Sequence, residues 1–317
     1  MKTETDRITI AIPVFERTEF FRATLGFALG QSVKCPVIVV DNASSHDFFE
    51  VESQGQRVSY FRNPTNIGMF PNWNRCFELA TTEFVLVLGD DDHLESNYVE
   101  SFIAALEAHP GIDVFFANFM MFDYATNSCS NHFHTLPFGY WRDGLGVIDF
   151  GIKHRLGFPL ITSAIRKSAF SGYYSEFHAS NDWEWLYRSA ERLSFYGDER
   201  VLLKYGQHRR NDSSNVITHQ RCMLSIWYIY KQILDAYAIR DRQNKTLNSR
   251  NIRYHSLYFL SNLDSSLRRE LFRGGDQYSR FFRSEFEMSF RMRAYCMVPA
   301  WLRRLFFKIV RRSRLVR

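Results

Sequence analysis

The sequence predicts an α/β protein: a mostly parallel sheet flanked by helices, followed from residue 221 by a helical extension. Three observations predict it. Short apolar, β-branched runs at Ile8–Val14, Pro36–Val40 and Val85–Leu88 alternate with segments of helical periodicity. Such runs suit strands covered on both faces. Each is followed by polar residues, which therefore collect at one edge of the sheet, where open α/β sheets bind their ligands.

Along the chain, Ile8–Val14 reads as a first strand whose Pro13 breaks the ladder to start a loop. Glu19–Gln31 follows as a helix, with Phe20, Phe21, Leu25, Ala28 and Leu29 at helical spacing. Pro36–Val40 is a second strand ending in Asp41-Asn42-Ala43-Ser44-Ser45, so strand, helix and strand form a parallel crossover. Val58–Arg62 is a weaker third strand, and the Asn, Pro and Gly of residues 63–68 mark a turn. A helix over Pro71–Ala80 then leads into Val85–Leu94. The chain has no G-x-G-x-x-G after its first strand and no G-x-x-x-x-G-K-[ST], which argues against a dinucleotide fold and a P-loop NTPase.

The stretch V-L-V-L-G-D-D-D-H-L at 85–94 organises the rest. Gly89 lets the backbone turn out of the sheet, and Asp90, Asp91 and Asp92 stand at the strand exit. Adjacent carboxylates repel and titrate upward unless a cation holds them together, and hard oxygen donors select Mg2+ or Mn2+. The alternative is a solvated turn with Asp92 as N-cap of a helix through Tyr98 and Phe102. That would explain one aspartate but not three.

Four segments, I-P-V-F-E-R at 12–17, V-V-D-N-A-S-S at 39–45, N-I-G-M-F-P-N-W-N at 66–74 and L-G-D-D-D at 88–92, resemble family 2 glycosyltransferases in residues, order and spacing. The resemblance runs over residues 8–215 and is stronger in the first half. It implies the GT-A fold, a Rossmann-like mixed sheet, with residues 1–110 as the nucleotide-sugar half, 111–220 as the acceptor half and 221–317 as the helical extension. By resemblance the nucleotide side comprises Pro13, Glu16, Asp41, Asn42, Asn66, Gly68 and Asn72, with Asp41 facing the base. The acidic triplet corresponds to the D-x-D-type motif, so Asp90 or Asp91 faces the ribose, and Asp92, with Asp90 and His208, holds the metal. Gly157–Tyr173 resembles the acceptor-side strand and loop. Asn181-Asp182 stands where relatives have Glu-Asp, which makes Asp182 the candidate catalytic base. As residues alone, Ser180, Asn181 and Asp182 also read as a helix start backed by Trp185, Leu186 and Ala190. Tyr205 to Ser214 resembles Y-R-x-H-x-x-x-S, with Gly206 in place of the arginine; Gly89 likewise departs from the usual L-D-x-D-D.

A sugar nucleotide carries a poor electrophile and a diphosphate leaving group. Transfer therefore needs charge neutralisation at the phosphates and removal of the acceptor's proton. The expectation is an inverting, metal-dependent glycosyltransferase using a UDP- or dTDP-linked sugar. Its rivals are a non-catalytic sugar-nucleotide or glycan-binding protein, and a phosphoryl-transfer or receiver site, for which no phosphate-pairing lysine is evident.

Composition bounds the setting. The 317 residues are 16% aromatic with 30 Phe, and the five cysteines form no C-x-x-C, which suggests neither a disulfide framework nor a zinc site and fits a reducing cytosol. No apolar signal segment follows Met1, and no run of eighteen apolar residues occurs. The net charge is +6, yet residues 268–317 hold fourteen Lys/Arg against four Asp/Glu, so the tail carries +10 and the remainder −4. Within it, Pro299–Arg312 reads as an amphipathic helix: Trp301, Leu302, Leu305, Phe306, Ile309 and Val310 fill one half of the wheel, Arg304, Lys308 and Arg311 face away, and Arg303 and Phe307 break the pattern. Bulky apolar groups beside cations favour anionic lipid over nucleic acid, or else packing on the domain. The expected partners are thus a nucleotide sugar, a glycan or polyprenyl-linked acceptor and an anionic membrane, in an enzyme peripheral to the inner face of the cell membrane.

Overall fold

A computed structural model describes residues 4–17, 19–46, 57–131, 136–158, 160–173, 180–211, 216–288, 295 and 298–312 of the chain. It divides into two compact units. The first comprises Met1–Val147, Gly157–Tyr173 and Ser189–Arg209; the second comprises Ile148–Leu156, Tyr174–Arg188 and Arg210–Arg317.

The first unit carries the sheet: β1 (Ile8–Val14), β2 (Val37–Asp41), β3 (Val58–Arg62), β4 (Phe84–Val87), β5 (His93–Leu94), β6 (Val114–Asp123), β7 (Ser128–Asn131), β8 (Gly139–Trp141), β9 (Ala164–Arg166) and β10 (Phe195–Gln207). The order is β3-β2-β1-β4-β9-β6-β10-β5, with β7 paired to β6 and β8 to β10. Strands β3, β2, β1 and β4 are mutually parallel, as are β6 and β10, while β9 runs antiparallel between β4 and β6. Register sets Val14 beside Asp41 and Asp41 beside Arg62, so the first three strands end level. Pro13 does not end its strand. The β1–β4 ladder stops at Ala11 and Val87, so the proline's missing N–H falls beyond the reach of β4.

Alternation along the strands assigns the helices. Ile8, Ile10 and Ile12 of β1, Val37 and Val39 of β2, and Phe84 and Leu86 of β4 form one buried cluster with Phe21 and Leu25 of α1 (Phe21–Leu29) and Tyr98, Val99 and Phe102 of α3 (Tyr98–Ala108). Helix α2 (Met69–Leu79) packs on β1, β2 and β4 through other residues, Phe70, Cys76 and Phe77 among those it buries. Its Pro71 sits in the first turn, where no helical N–H is needed. Gly157–Tyr173 forms β9 between the single 3-10 turns Leu160–Thr162 and Lys167–Ala169.

The second unit is helical. After α4 (Leu145–His154), which begins in the first unit, come α5 (Asn181–Ser189) and α6 (Val216–Tyr228), which runs through a π-helical stretch, Ile229–Leu234, into α7 (Asp235–Ala238). Then follow α8 (Arg242–Asn262), α9 (Ser265–Arg273), α10 (Gln277–Met288) and α11 (Ala300–Arg312). Asp241 and Asp264 cap α8 and α9, accepting from the amides of Asn244 at 2.9 Å and Ser266 at 2.7 Å. Leu224, Trp227, Phe259, Leu267, Tyr278 and Phe282 belong to its core.

Phe102 is fully buried, with its ring edge-on to Phe84 at 4.9 Å and Phe115 at 5.7 Å. Phe102→Ala should cost about 3–5 kcal/mol, the range for truncating a buried aromatic, read as a lower midpoint in urea unfolding.

Candidate active site

The exits of β1, β2, β3 and β4 and the end of β10 converge within the first unit, and side-chain bonds fix each to its neighbour. The β1 loop is clasped to the β2 loop: the Glu16 amide donates to Ser44 Oγ at 2.9 Å, while the Glu16 carboxylate accepts from Ser45 N at 2.7 Å and Ser45 Oγ at 2.6 Å. Glu16 and Ala43 have positive φ, 59° and 61°, a conformation that non-glycine residues adopt at some cost and that the clasp holds in place. Glu16 thus ties loops together, and His46 pairs with the same carboxylate at 3.2 Å.

Asp41, at the end of β2, has no accessible surface. Its Oδ1 accepts from Ser44 N at 3.0 Å and Ser44 Oγ at 2.7 Å, and its Oδ2 accepts from the Tyr60 hydroxyl and the Arg62 guanidinium, both at 2.8 Å. Asparagines pin the following turn. Asn42 accepts from Asn63 Nδ2 at 3.2 Å and Ile67 N at 2.9 Å and donates to Asn66 Oδ1 at 2.8 Å. Asn63 also donates to Asn72 Oδ1 at 2.8 Å, and Asn72 donates to Val40 O at 3.1 Å. Gly68, at φ 91°, begins α2 from this turn. The predicted residues Asp41, Asn42, Asn66, Gly68 and Asn72 are therefore brought together, and their polar atoms build the wall. Asn63, unremarked in the sequence, is its central node.

The carboxylates after β4 are all nearly inaccessible, and a guanidinium serves as their counter-ion. Arg17 Nη2 lies 2.7 Å from Asp90 Oδ1 and Nη1 lies 2.9 Å from Asp91 Oδ2. The imidazole of His208 meets the same Asp91 oxygen through Nε2 at 2.8 Å; since a carboxylate only accepts, Nε2 carries the proton there. Phe20 stacks on His208 with centroids 4.5 Å apart, and Tyr124 donates its hydroxyl to Asp91 O at 2.9 Å. Asp92 does not cap α3, whose N-cap is Asn97; strand β5 intervenes, and Asp92 Oδ1 accepts from Gly206 N at 2.9 Å.

Both glycine departures from the family pattern follow from this approach. A Cβ on Gly206 would stand 2.1 Å from Asp91 O, and one on Gly89 would stand 2.7 Å from Asp92 Oδ2. No arginine fits at 206 while β10 lies this close to the acidic loop. Pairing of β5 with β10, Leu94 to Leu203 and His93 to Lys204, holds it there.

Burial, more than Asp91's charge, pushes the Asp90 carboxyl up to about 7 against the pull of Arg17. Asp92 is raised well above the carboxylate range, first by burial and then by Asp91. Among the described residues Asp90 Oδ2 is buried without a hydrogen-bond partner, an arrangement costing about 1–3 kcal/mol or more for a charged group. Among the described residues, no three His, Cys, Asp or Glu side chains form a ready-made metal shell, so Asp92, Asp90 and His208 do not converge as one. The donor chemistry nevertheless fits a divalent cation: three carboxyl groups with hard oxygens and, among the described residues, one acceptor facing no donor.

Asp182 belongs to the second unit, at the start of α5. Its neighbour Asn181 is buried and accepts from the Tyr278 hydroxyl at 2.9 Å, which ties the helix start to α10. Trp185 and Leu186 are buried, as their spacing predicts. Asp182 itself is partly buried, and loss of hydration lifts its carboxyl to about 6, against the amides of Trp183 and Asp182. Ser213 and Ser214 lie outside the described residues.

An α/β sheet of this kind places its ligands beyond the carboxyl ends of its strands, and here that edge carries the buried carboxylates. The chain belongs to glycosyl transferase family 2, whose family model matches residues 9–171, just over half its length. It is 23% identical over 225 residues to an uncharacterised glycosyltransferase of Rickettsia typhi, a match covering 69% of this chain and 70% of that protein. Among solved structures it is similar to residues 1–349 of S. aureus TarS in complex with UDP-GlcNAc, with a TM-score of 0.58 and 15% identity over 89% of this chain and 88% of that one. It is also similar to the mannosyltransferase PcManGT from Pyrobaculum calidifontis in complex with GDP-Man and Mn2+, with a TM-score of 0.55 and 14% identity over 96% and 86% of the two chains. The fold is therefore GT-A and the protein is a glycosyltransferase, as the motifs predict; this sets aside the receiver and binding-protein readings.

Gly206→Ala should drive β10 from the acidic loop. The expected result is a loss of at least about 1–3 kcal/mol in urea unfolding, the usual cost of overpacking a tight site.

Proposed function

We propose that this glycosyltransferase is inverting and divalent-metal-dependent, and that it moves a sugar from a nucleotide donor, UDP- or dTDP-linked, to a glycan acceptor carried on a polyprenyl-type lipid. The observation that carries the reading is the buried acid cluster after β4, with one carboxylate oxygen unpartnered. Donors bound by the similar structures, UDP-GlcNAc and GDP-Man, are of the same chemical class, and one of those structures holds Mn2+. Here Asp90 and Asp91, with Asp92 and His208 adjoining, would hold the cation, which would supply positive charge to the departing diphosphate. Asp41 would act on the base side through the Arg62 and Tyr60 groups that it fixes.

Asp182 is the proposed base. At about 6, its carboxyl is ionised at neutral pH yet basic enough to accept a proton from the acceptor hydroxyl. A single displacement with one base inverts the anomeric centre. Asp182→Asn should abolish transfer, by about a hundred-fold at least, while UDP-sugar binding measured by thermal protection stays near wild type. Because the base must be ionised, wild-type kcat should fall about ten-fold per pH unit below about 6 and plateau above it. The sign for stability is opposite. A folded carboxyl raised above its ordinary 3.8 favours folding when protonated and loses that contribution as pH rises through about 6, so Asp182→Asn should be no less stable than wild type at about pH 8. Wild-type turnover in the variant would remove Asp182 from the chemistry.

Helix α11 supports contact with an anionic membrane. Arg303 and Phe307, the two residues that break its wheel, face inward: Arg303 donates to Leu260 O at 2.9 Å and Leu263 O at 3.3 Å, and Phe307 packs on Tyr254 and Tyr258. Trp301, Leu302 and Leu305 are left 66%, 41% and 51% exposed, next to Arg304 and Lys308. Among the described residues no helix is long and apolar enough to cross a bilayer, so this face would lie in the interface. Replacing Trp301, Leu302 and Leu305 together with serine should weaken binding to phosphatidylglycerol-containing vesicles at least about ten-fold in co-sedimentation, with melting unchanged. Undiminished sedimentation would end the membrane reading.

A further inference from the structure

Arg17 raises a question that the acid cluster alone does not. Its guanidinium spans two successive buried carboxylates, one nitrogen to each, at 2.7 and 2.9 Å. Its own side chain is 25% exposed and extends from the loop after β1, whereas Asp90 and Asp91 are nearly sealed. One partner is thus sealed and the other is partly exposed. A divalent ion on these oxygens would stand within a few ångströms of the guanidinium, and two cations at that separation in a poorly hydrated site repel strongly. The site is also crowded: His208 Nε2 already shares Asp91 Oδ2 and lies 3.5 Å from Arg17 Nη1. Meanwhile Asp90 Oδ2, in a residue 2% exposed, has no partner, so the guanidinium leaves the cluster incompletely satisfied. A guanidinium displaced to the open side keeps its planar fork, which matches the oxygens of a diphosphate.

Resting on the donor-site reading above, we propose that Arg17 is a resident counter-ion that occupies the acid cluster until a divalent cation replaces it, and that it then turns to the donor's diphosphate. Two consequences follow. The cluster stays folded before any metal arrives, because its repulsion is already offset. Metal and nucleotide bind in concert, because the metal must displace Arg17 and the diphosphate gives Arg17 somewhere to go; by linkage each raises the other's affinity by the same factor.

The experiment measures Mn2+ binding to the full chain, by electron paramagnetic resonance of free Mn2+, with and without UDP. Without UDP, Arg17→Ala should bind Mn2+ at least ten-fold tighter than wild type, with Arg17→Lys between them. UDP should tighten Mn2+ binding to wild type by a factor at least ten-fold larger than in Arg17→Ala. Should Arg17→Ala not fold unaided, recovery of its circular dichroism melt with Mn2+ but not with NaCl of equal ionic strength would support the same assignment, and absence of recovery would overturn it. Equal or weaker Mn2+ binding by the folded variant, or undiminished coupling to UDP, would overturn it while leaving the donor site standing. If wild type binds neither Mn2+ nor UDP, the donor-site reading fails and the Arg17 assignment falls with it.

Discussion

Burying three consecutive carboxylates at the end of a strand is the constraint on which the rest of the first unit depends. Each would lose hydration worth several kcal/mol unless its oxygens met donors. The chain meets most of that demand with three groups from two distant places in sequence: the guanidinium of Arg17 from the β1 loop, and the amide of Gly206 and the imidazole of His208 from the end of β10 and just beyond it. The last two can arrive only if β10 lies against the acidic loop, where the short strand β5 pairs with β10 and no side chain fits at residue 206. The glycine that departs from the family pattern is thus a condition of the acid cluster.

The polar network at the exits of β2 and β3 is built on a different principle. Its charged and amide side chains bond mainly to one another and to backbone, with Asp41 taking four donors and the asparagines at 42, 63, 66 and 72 forming a closed set. Such a network gives loops the rigidity of the sheet they extend. The residues best matched to the family motif here are mostly buried supports, and even Arg62, more exposed than they are, is tied to Asp41 and to the carbonyls of Ser44 and His46.

How far the sequence revealed this depended on the range of the interaction. Strands β1 and β3 run over the residues that the sequence predicts: β1 because a strand covered on both faces declares itself locally, and β3, largely exposed, because its β-favouring residues end at a marked turn. The strand exits, where these side chains gather, were equally legible. Arg17 was not singled out, although the argument that adjacent carboxylates need a shared cation points toward such a residue; nothing local marks which of forty Lys and Arg supplies the charge. Gly206 was visible only as an exception, since its cause is the position of Asp91, more than a hundred residues earlier. In the tail, Arg303 and Phe307 read as flaws in an amphipathic wheel. They are its inward face, and a wheel cannot show that a helix answers to two surfaces.

That double allegiance has a mechanical outcome. Arg303 donates to Leu260 O and Leu263 O, free carbonyls at the C-terminal end of α8, where a cation also complements the helix dipole. The last helix is therefore held in shape by its own protein before it meets anything else. A segment that folds only on meeting a partner spends part of its binding energy on ordering itself; in a helix already fixed by these two bonds that ordering is complete beforehand.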